Sequence, residues 1–539
     1  MANPQEKKKI VIVGGGIIGA TTAYYLTRHP KFDPALHTVI LLEAAAIAAG
    51  ASGKAGGLLA LWAYPECLVP LSYRLHKELA DEHDGVQKWG YRRVNCGTIG
   101  AVVKPADLER AVQQTQMEAV EDAKAEAESK ASAKAPAAQP GMSALQASST
   151  STSAPQAEIG GTSLAVLEGN KPSETGTAAS EAPEARPATA NSGEKSNGSI
   201  SNGTAETHPV KEEKDWEKLP KQDSAAVSLL ETSTLPSDLD WIDSKLVQSY
   251  EQMGRRGFTE TSQVHPFHFT AAIAELARSA GVDIRLGAKV TDIRSSPGDG
   301  GSSSSSSSSS SATDPGPPSL RIVEYQDRND GDAVKTIENV TDVIITAGPW
   351  TGKLLPRSKI EGLRAHSIVY EAEVTPYAVF TDIQLPTDYV PEHRAKAGQK
   401  RRHKGNVDPE VYARPFGEVY ACGEPDKTVP LPETADQVQA DTAQCDDLAA
   451  YLATVSPTLA AAPIRARQAC YLPQHVRFGT ERGPLIGPTA APRIWIASGH
   501  TCWGIQNGPA TGYLMAQWLL DGEPTAADID VLHPAKFKV

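Results

Sequence analysis

The stretch Ile10 to Glu43 limits what this chain can fold into more than any other. Ile10-Val11-Ile12-Val13 is a β-branched run suited to a buried parallel strand, and Gly14-Gly15-Gly16-Ile17-Ile18-Gly19 follows without a break. Each glycine of the pattern has its own reason: Gly14 makes the tight turn, Gly16 lets backbone approach a pyrophosphate, and Gly19 permits close helix-on-strand packing. A helical stretch, Ala20 to Thr27, then presents its N-terminus to the anion. The second apolar strand, Thr38-Val39-Ile40-Leu41-Leu42, ends in Glu43, placed to accept hydrogen bonds from an adenosine ribose and to repel a 2′-phosphate. The order strand, turn, helix, strand, acid predicts a dinucleotide site and disfavours NADP; an ordinary βαβ unit with a glycine turn is the competing reading.

At 539 residues the chain exceeds what one hydrophobic core usually supports, so two domains are expected. A net charge of −13 gives no electrostatic footprint for nucleic acid or an anionic membrane, and no apolar run approaches the length of a membrane span. Lys7-Lys8-Lys9 run directly into the first strand with no separate apolar segment, which does not read as a secretory signal, and Phe537-Lys538-Val539 is not a peroxisomal tripeptide. Six cysteines without CxxC spacing argue against a zinc site or a disulfide scaffold. No metal is expected, and a cytoplasmic setting is.

Farther along, Gly50 to Leu59 is rich in small residues, which suits backbone passing close to something flat or anionic. Leu68 to Asp84 reads as a helix and Gly97 to Val103 as a strand. From about Lys130 to about Ser224 branched apolar and aromatic residues almost vanish, and the segment is expected to be disordered. Pro297 to Pro318, with ten serines from Ser302 to Ser311, reads as a low-complexity loop. His265-Pro266-Phe267-His268-Phe269 leads into a predicted helix, Thr270 to Ala280, and a strand with its turn runs to Val290. Asn339 to Thr346 is one β-rich run ending in Ala347-Gly348-Pro349-Trp350. Alternation between Arg364 and about Pro457 predicts an antiparallel sheet in a second domain. The chain closes with Gly483-Pro484-Leu485-Ile486-Gly487-Pro488, a strand, the turn Ser498 to Gly508, and a helix predicted from Pro509 to Leu520. A glycine-rich turn feeding a helix N-terminus supplies N–H groups to a developing anion, such as a flavin accumulates on reduction.

These residues resemble the FAD-dependent oxidoreductases of the D-amino-acid oxidase, glycine oxidase and sarcosine oxidase superfamily, in a fungal-type member. The resemblance rests on GGGIIG with Glu43, GASGKAGG, VHPFHF, GVDIRLGAKV, ITAGPW, and RGPLIGP followed by SGHTCWGIQNGPATG. It implies an α/β, Rossmann-like FAD-binding domain (1–106, 255–360 and 461–539) and a mainly antiparallel substrate domain (107–254 and 361–460). The implied FAD contacts begin with Gly14, Gly16, Ile17, Ile18 and Gly19, then Glu43 and Ala44. They continue through Ser52, Gly56, Gly57 and Leu58, Val290, and Ala347, Gly348 and Trp350. Cys470 and the turn residues Gly499, His500, Gly504 and Ile505 complete them. The implied chemistry is oxidation of a C–N bond in an amine or amino-acid-like small molecule by hydride transfer to flavin, with oxygen as acceptor.

Three positions depart from the superfamily pattern or bear on it. Leu472 stands where glycine and D-amino-acid oxidases place the arginine that pairs with a substrate carboxylate, and Gln506 stands where sarcosine oxidases place a lysine. Cys470 falls where sarcosine oxidases carry the cysteine bonded to flavin. His500 and Gln506 are the candidate catalytic residues. A flavin dehydrogenase that passes electrons to a quinone or protein carrier, and a non-catalytic flavin-stabilised scaffold, are the alternatives.

Overall fold

The first strand, Lys8–Val13, is buried from Ile10 onward because both of its faces are covered: Ile10 and Ile12 pack into one core, Val11 and Val13 into another. A continuous β-branched run is what such a position requires. Parallel partners flank it, His37–Glu43 on one side and Asp342–Ile345 on the other, within a six-stranded sheet. Asp283–Leu286 lies beyond His37–Glu43, and Ile494–Ser498 then Leu485–Pro488 lie beyond Asp342–Ile345. The computed structural model describes residues 7–110, 113, 230–253, 260–296 and 320–539; the tracts 130–224 and 302–311 fall outside them.

A nine-stranded sheet forms the second body of β-structure. It runs from Thr480–Arg482 through Ile464–Arg477, Ile360–Glu371, Glu418–Cys422, Glu410–Arg414, Tyr377–Gln384, Asn95–Val102 and Val247–Met253 to Leu230–Ser233. Its pairs are antiparallel except Tyr377–Gln384 with Asn95–Val102. The fold is thus mixed α/β, a nucleotide-binding-type sheet that is parallel except for its edge strand Leu485–Pro488, plus a separate, mainly antiparallel one. The run Asn339 to Thr346 is divided between sheets: Ala333–Val340 ends a three-stranded antiparallel sheet, and Asp342–Ile345 enters the parallel one.

The helix Ile17–Arg28 carries the glycine turn into the core and packs on the C-terminal helix. A Cβ at Gly512 would come within 2.5 Å of the Thr21 carbonyl carbon, and one at Gly508 within 2.7 Å of Ile17 Cγ1. Thr21 Oγ1 donates to Gly508 O at 2.8 Å across the same seam.

The C-terminal helix begins earlier than its sequence predicts. It spans Gly504–Asp521, with Pro509 inside it rather than at its first turn. An internal proline removes an N–H and crowds the carbonyl four residues back, normally costing about 3 kcal/mol. Here the helix Val69–Glu82 satisfies the exposed groups: His76 Nε2 lies 2.9 Å from Ile505 O, while Ser72 Oγ donates to Gln506 O at 2.6 Å and accepts from Ala510 N at 3.1 Å. The helix after VHPFHF also starts early, at Pro266–Ser279, with His265 as its N-cap and proline at its first position.

Candidate active site

A cavity of about 320 Å³ runs from the glycine turn, past the loop Gly50 to Leu58, to the nine-stranded sheet. Gly14 has φ +113°, and a Cβ on it would come within 2.6 Å of Thr346 O. A Cβ at Gly19 would come within 2.0 Å of Gly14 O, so Gly19 serves packing, away from the lining. Gly16 caps the helix, and Ile17 N at its first turn donates to Ser52 Oγ at 3.0 Å. Ser52 thus ties the small-residue loop to the helix N-terminus, and this end opens on the cavity with Gly14, Gly16, Ile17 and Ile18 around it.

Glu43 holds the turn as well as lining the cavity. Its Oε2 accepts from Gly15 N at 2.7 Å and its Oε1 from Ala45 N at 2.8 Å. Burial pushes its carboxyl above the ordinary range, against the opposing effect of those N–H groups. Ala44, Val290, Ala347, Gly348 and Trp350 line the same end. Trp350 Nε1 donates to Pro432 O at 2.8 Å, and Lys289 and Lys353 both pair with Glu433, at 2.8 and 2.9 Å, which closes the loop over this end.

Gly56, Gly57 and Leu58 lie between the two ends, and each glycine is required by a close approach. A Cβ at Gly56 would sit 2.6 Å from the Tyr412 ring; Gly57 has φ +84° and its Cβ would lie 2.0 Å from Val264 O. The turn before the C-terminal helix brings His500, Gly504 and Ile505 to the cavity, whereas Gly499 and Gln506 stay behind it. Gln506 is 1% exposed and its Oε1 accepts from Ala60 N at 2.8 Å, so it braces the strand Leu58–Ala60. His500 is paired through Nε2 with Thr511 Oγ1 at 3.0 Å, and its Nδ1 is buried without a protein partner. Burial alone lowers it to about 3, so it stands neutral.

At the other end the lining comes from strand faces. Glu410 pairs with Cys422 and Tyr412 with Tyr420 in the hairpin register, which puts all four side chains on the cavity face. Val411, Val419 and Ala421 on the opposite face pack into the core with Cys445, Leu448 and Leu452 of the helix Thr442–Ala453. Period-two alternation in EVYAR and EVYAC was the signal for this face. Leu472 lines the cavity, as does Cys470, whose thiol burial pushes up to about 11. Among the described residues no arginine lines it. Arg414 is committed to Glu418 and Ala55 O, and Arg477 to Arg357 O and Phe537 O. Among the described residues there is also no cluster of His, Cys, Asp and Glu able to hold a metal, and no helix long and apolar enough to cross a membrane.

A parallel sheet with a glycine turn, opening into a cavity that a second sheet covers, is the architecture of a dinucleotide-binding site. The chain belongs to the family described as FAD dependent oxidoreductase (DAO), whose model matches residues 9–157 and 207–518. It is 36% identical to "Putative oxidoreductase TDA3" of Saccharomyces cerevisiae, over 99% of this chain and 96% of that one. Glycine oxidase from Geobacillus kaustophilus shares the fold with a TM-score of 0.53 at 16% identity, covering 98% of each chain. L-proline dehydrogenase from P. horikoshii also has a TM-score of 0.53, at 12% identity, covering 99% of this chain and 98% of that one.

The protein is therefore a FAD-dependent enzyme. Its residues fit the group: Gly14 tolerates no side chain, a Cβ at Gly16 would crowd Ser52 Oγ at 3.0 Å, the helix N-terminus opens on the cavity, and the orphaned His500 Nδ1 awaits a polar partner there.

Proposed function

We propose that the enzyme oxidises a C–N bond of a small amine whose recognition does not depend on a free carboxylate, with oxygen as the final acceptor. The observation that carries this reading is the cavity's sheet end, where Leu472 occupies the lining and the nearby arginines are engaged elsewhere. FAD would lie with its pyrophosphate at Gly14, Gly16 and Ser52, its adenosine toward Glu43, Ala44 and Val290, and its ring between Gly56 to Leu58 and the turn His500 to Ile505. In this division the six-stranded sheet and its helices hold the cofactor and the nine-stranded sheet covers the substrate. Bound FAD supplies a hydride acceptor that oxygen can reoxidise.

The chain's own residues orient and exclude water. The N–H groups at the start of the helix Gly504–Asp521 face negative charge that develops near them, and neutral His500 is fixed by Thr511. Tyr412, Tyr420 and Trp503 wall off the substrate end. Loss of a hydride and a proton turns the amine into an imine, which water hydrolyses to a carbonyl compound and a free amine. No charged base is needed if the amine enters deprotonated. Six free cysteines support a reducing compartment such as the cytoplasm. Oxygen consumption with stoichiometric peroxide from an amine panel tests the proposal. Flavin reduction by an amine with no peroxide released would assign the electrons to another acceptor.

A further inference from the structure

Between the strand Glu418–Cys422 and the helix Thr442–Ala453 the chain leaves the nine-stranded sheet, crosses the end of the cavity lined by Ala44 and Val290, and returns. Glu433, Thr434 and Ala435, in the middle of this strap, belong to the lining there. Pro425, Pro430 and Pro432 fix φ at three points along it, which stiffens it.

Its two ends are held by buried contacts. Arg364 and Asp426 exchange backbone hydrogen bonds at 3.1 and 2.7 Å and pair through side chains only 5% and 3% exposed. The Tyr471 hydroxyl donates to Val429 O and Pro430 O, both at 3.0 Å, and Asp441 N donates to His366 Nε2 at 3.0 Å. The middle is tied differently, to residues outside that sheet. The Glu433 carboxylate bridges Lys289 Nζ at 2.8 Å and Lys353 Nζ at 2.9 Å, and Asp436 pairs at 2.7 Å with Arg328, whose Nη1 also donates to Ala44 O. The side chains of these ion pairs are 27% to 61% exposed.

An exposed ion pair is weak and is screened by salt, whereas breaking a buried, hydrogen-bonded one leaves an uncompensated charge. The strap's weak point is therefore its middle, over the cavity. Glu433 is the centre of that point, because removing its charge also leaves Lys289 and Lys353 as neighbouring like charges, and both ties fail together. We propose that Glu433 is a positioning residue for the cofactor: with Lys289 and Lys353 it forms a clasp that keeps the strap closed over FAD, and opening of the clasp lets FAD enter and leave. This rests on the placement of FAD given above, with its adenosine toward Glu43, Ala44 and Val290.

Dissociation of FAD from the full-length, FAD-loaded protein, followed as free-flavin fluorescence after dilution, tests the clasp. In the wild type, raising KCl from about 0.05 M to about 0.5 M is expected to speed release about fivefold, as screening of two exposed ion pairs allows. Glu433→Gln is expected to release FAD at the fast rate at both salt concentrations, while its apoprotein melts where the wild-type apoprotein does. A wild-type rate indifferent to salt, or equal rates in wild type and Glu433→Gln at low salt, overturns the proposal. Val290→Trp, which adds bulk to the lining at this end, tests the placement of FAD by itself. If Val290→Trp weakens FAD binding while Glu433→Gln changes nothing, the clasp fails and the placement stands. If Val290→Trp binds FAD as the wild type does, the placement is wrong and the clasp falls with it.

Discussion

The two ends of the cavity are built by different means. The end proposed for the cofactor is made of backbone: Gly14, Gly16 and Gly57 sit where a Cβ would meet atoms already in place, and Glu43 is engaged with the turn's own N–H groups. The end proposed for the substrate is made of side chains on strand faces, with Glu410, Tyr412, Cys422 and Leu472 mounted on a sheet whose other face is ordinary core. Backbone geometry admits little variation, so on the proposed assignment the first end would fix which cofactor is bound. Side chains exchange without disturbing a sheet, so on the same assignment the second end would set what is oxidised.

The sharpest break in that comparison is Gly16→Val. A Cβ there already lies 3.0 Å from Ser52 Oγ, and the added methyl groups occupy pyrophosphate space, so the purified variant should be colourless. Yellow, FAD-bearing Gly16→Val protein would move the site elsewhere. Next is Gly512→Leu, which wedges the two helices behind the cofactor end apart. It should cost about 3 kcal/mol in a denaturant titration, with an unchanged midpoint refuting the close seam.

Acid acts on the same region. Burial lowers His76 to about 4 and His500 to about 3, below the ordinary histidine value. Between pH 6.5 and 4 the unfolded chain takes up protons that the folded one refuses, so the stability present above pH 6.5 is lost as the pH falls. For His76 alone the loss by pH 5 is about 2 kcal/mol. Melting curves of the wild type and His76→Gln across this range check it, the variant showing the shallower slope.

The smallest effect concerns Cys470. A thiol pushed up to about 11 is almost entirely protonated at neutral pH and is a poor nucleophile. Acid precipitation should leave FAD in the supernatant, and Cys470→Ala should not change that; a fluorescent pellet lost in the variant would show a covalent link.

These differences follow what was legible in the sequence. The glycine turn, the strand run and Glu43 were readable because backbone demands are local and specific to residue type. Pro509 misled because its repair comes from Ser72 and His76, more than 400 residues away in sequence. Gln506 reads as part of the catalytic turn but faces away, one residue beyond the last one that reaches the cavity. Glu410 and Glu481 passed unnoticed because an acid in a strand normally faces water, and only the pairing of Glu410 with Cys422 and of Glu481 with Val476 brings them to the lining. The tracts about 130–224 and 302–311 lie outside the described residues.

The central claim, a FAD enzyme that does not read a substrate carboxylate, is tested most directly by anaerobic flavin reduction with glycine and with glycinamide at equal concentration. The account predicts that glycinamide bleaches the flavin at least as fast as glycine. Rapid bleaching by glycine that is lost on amidation would contradict it.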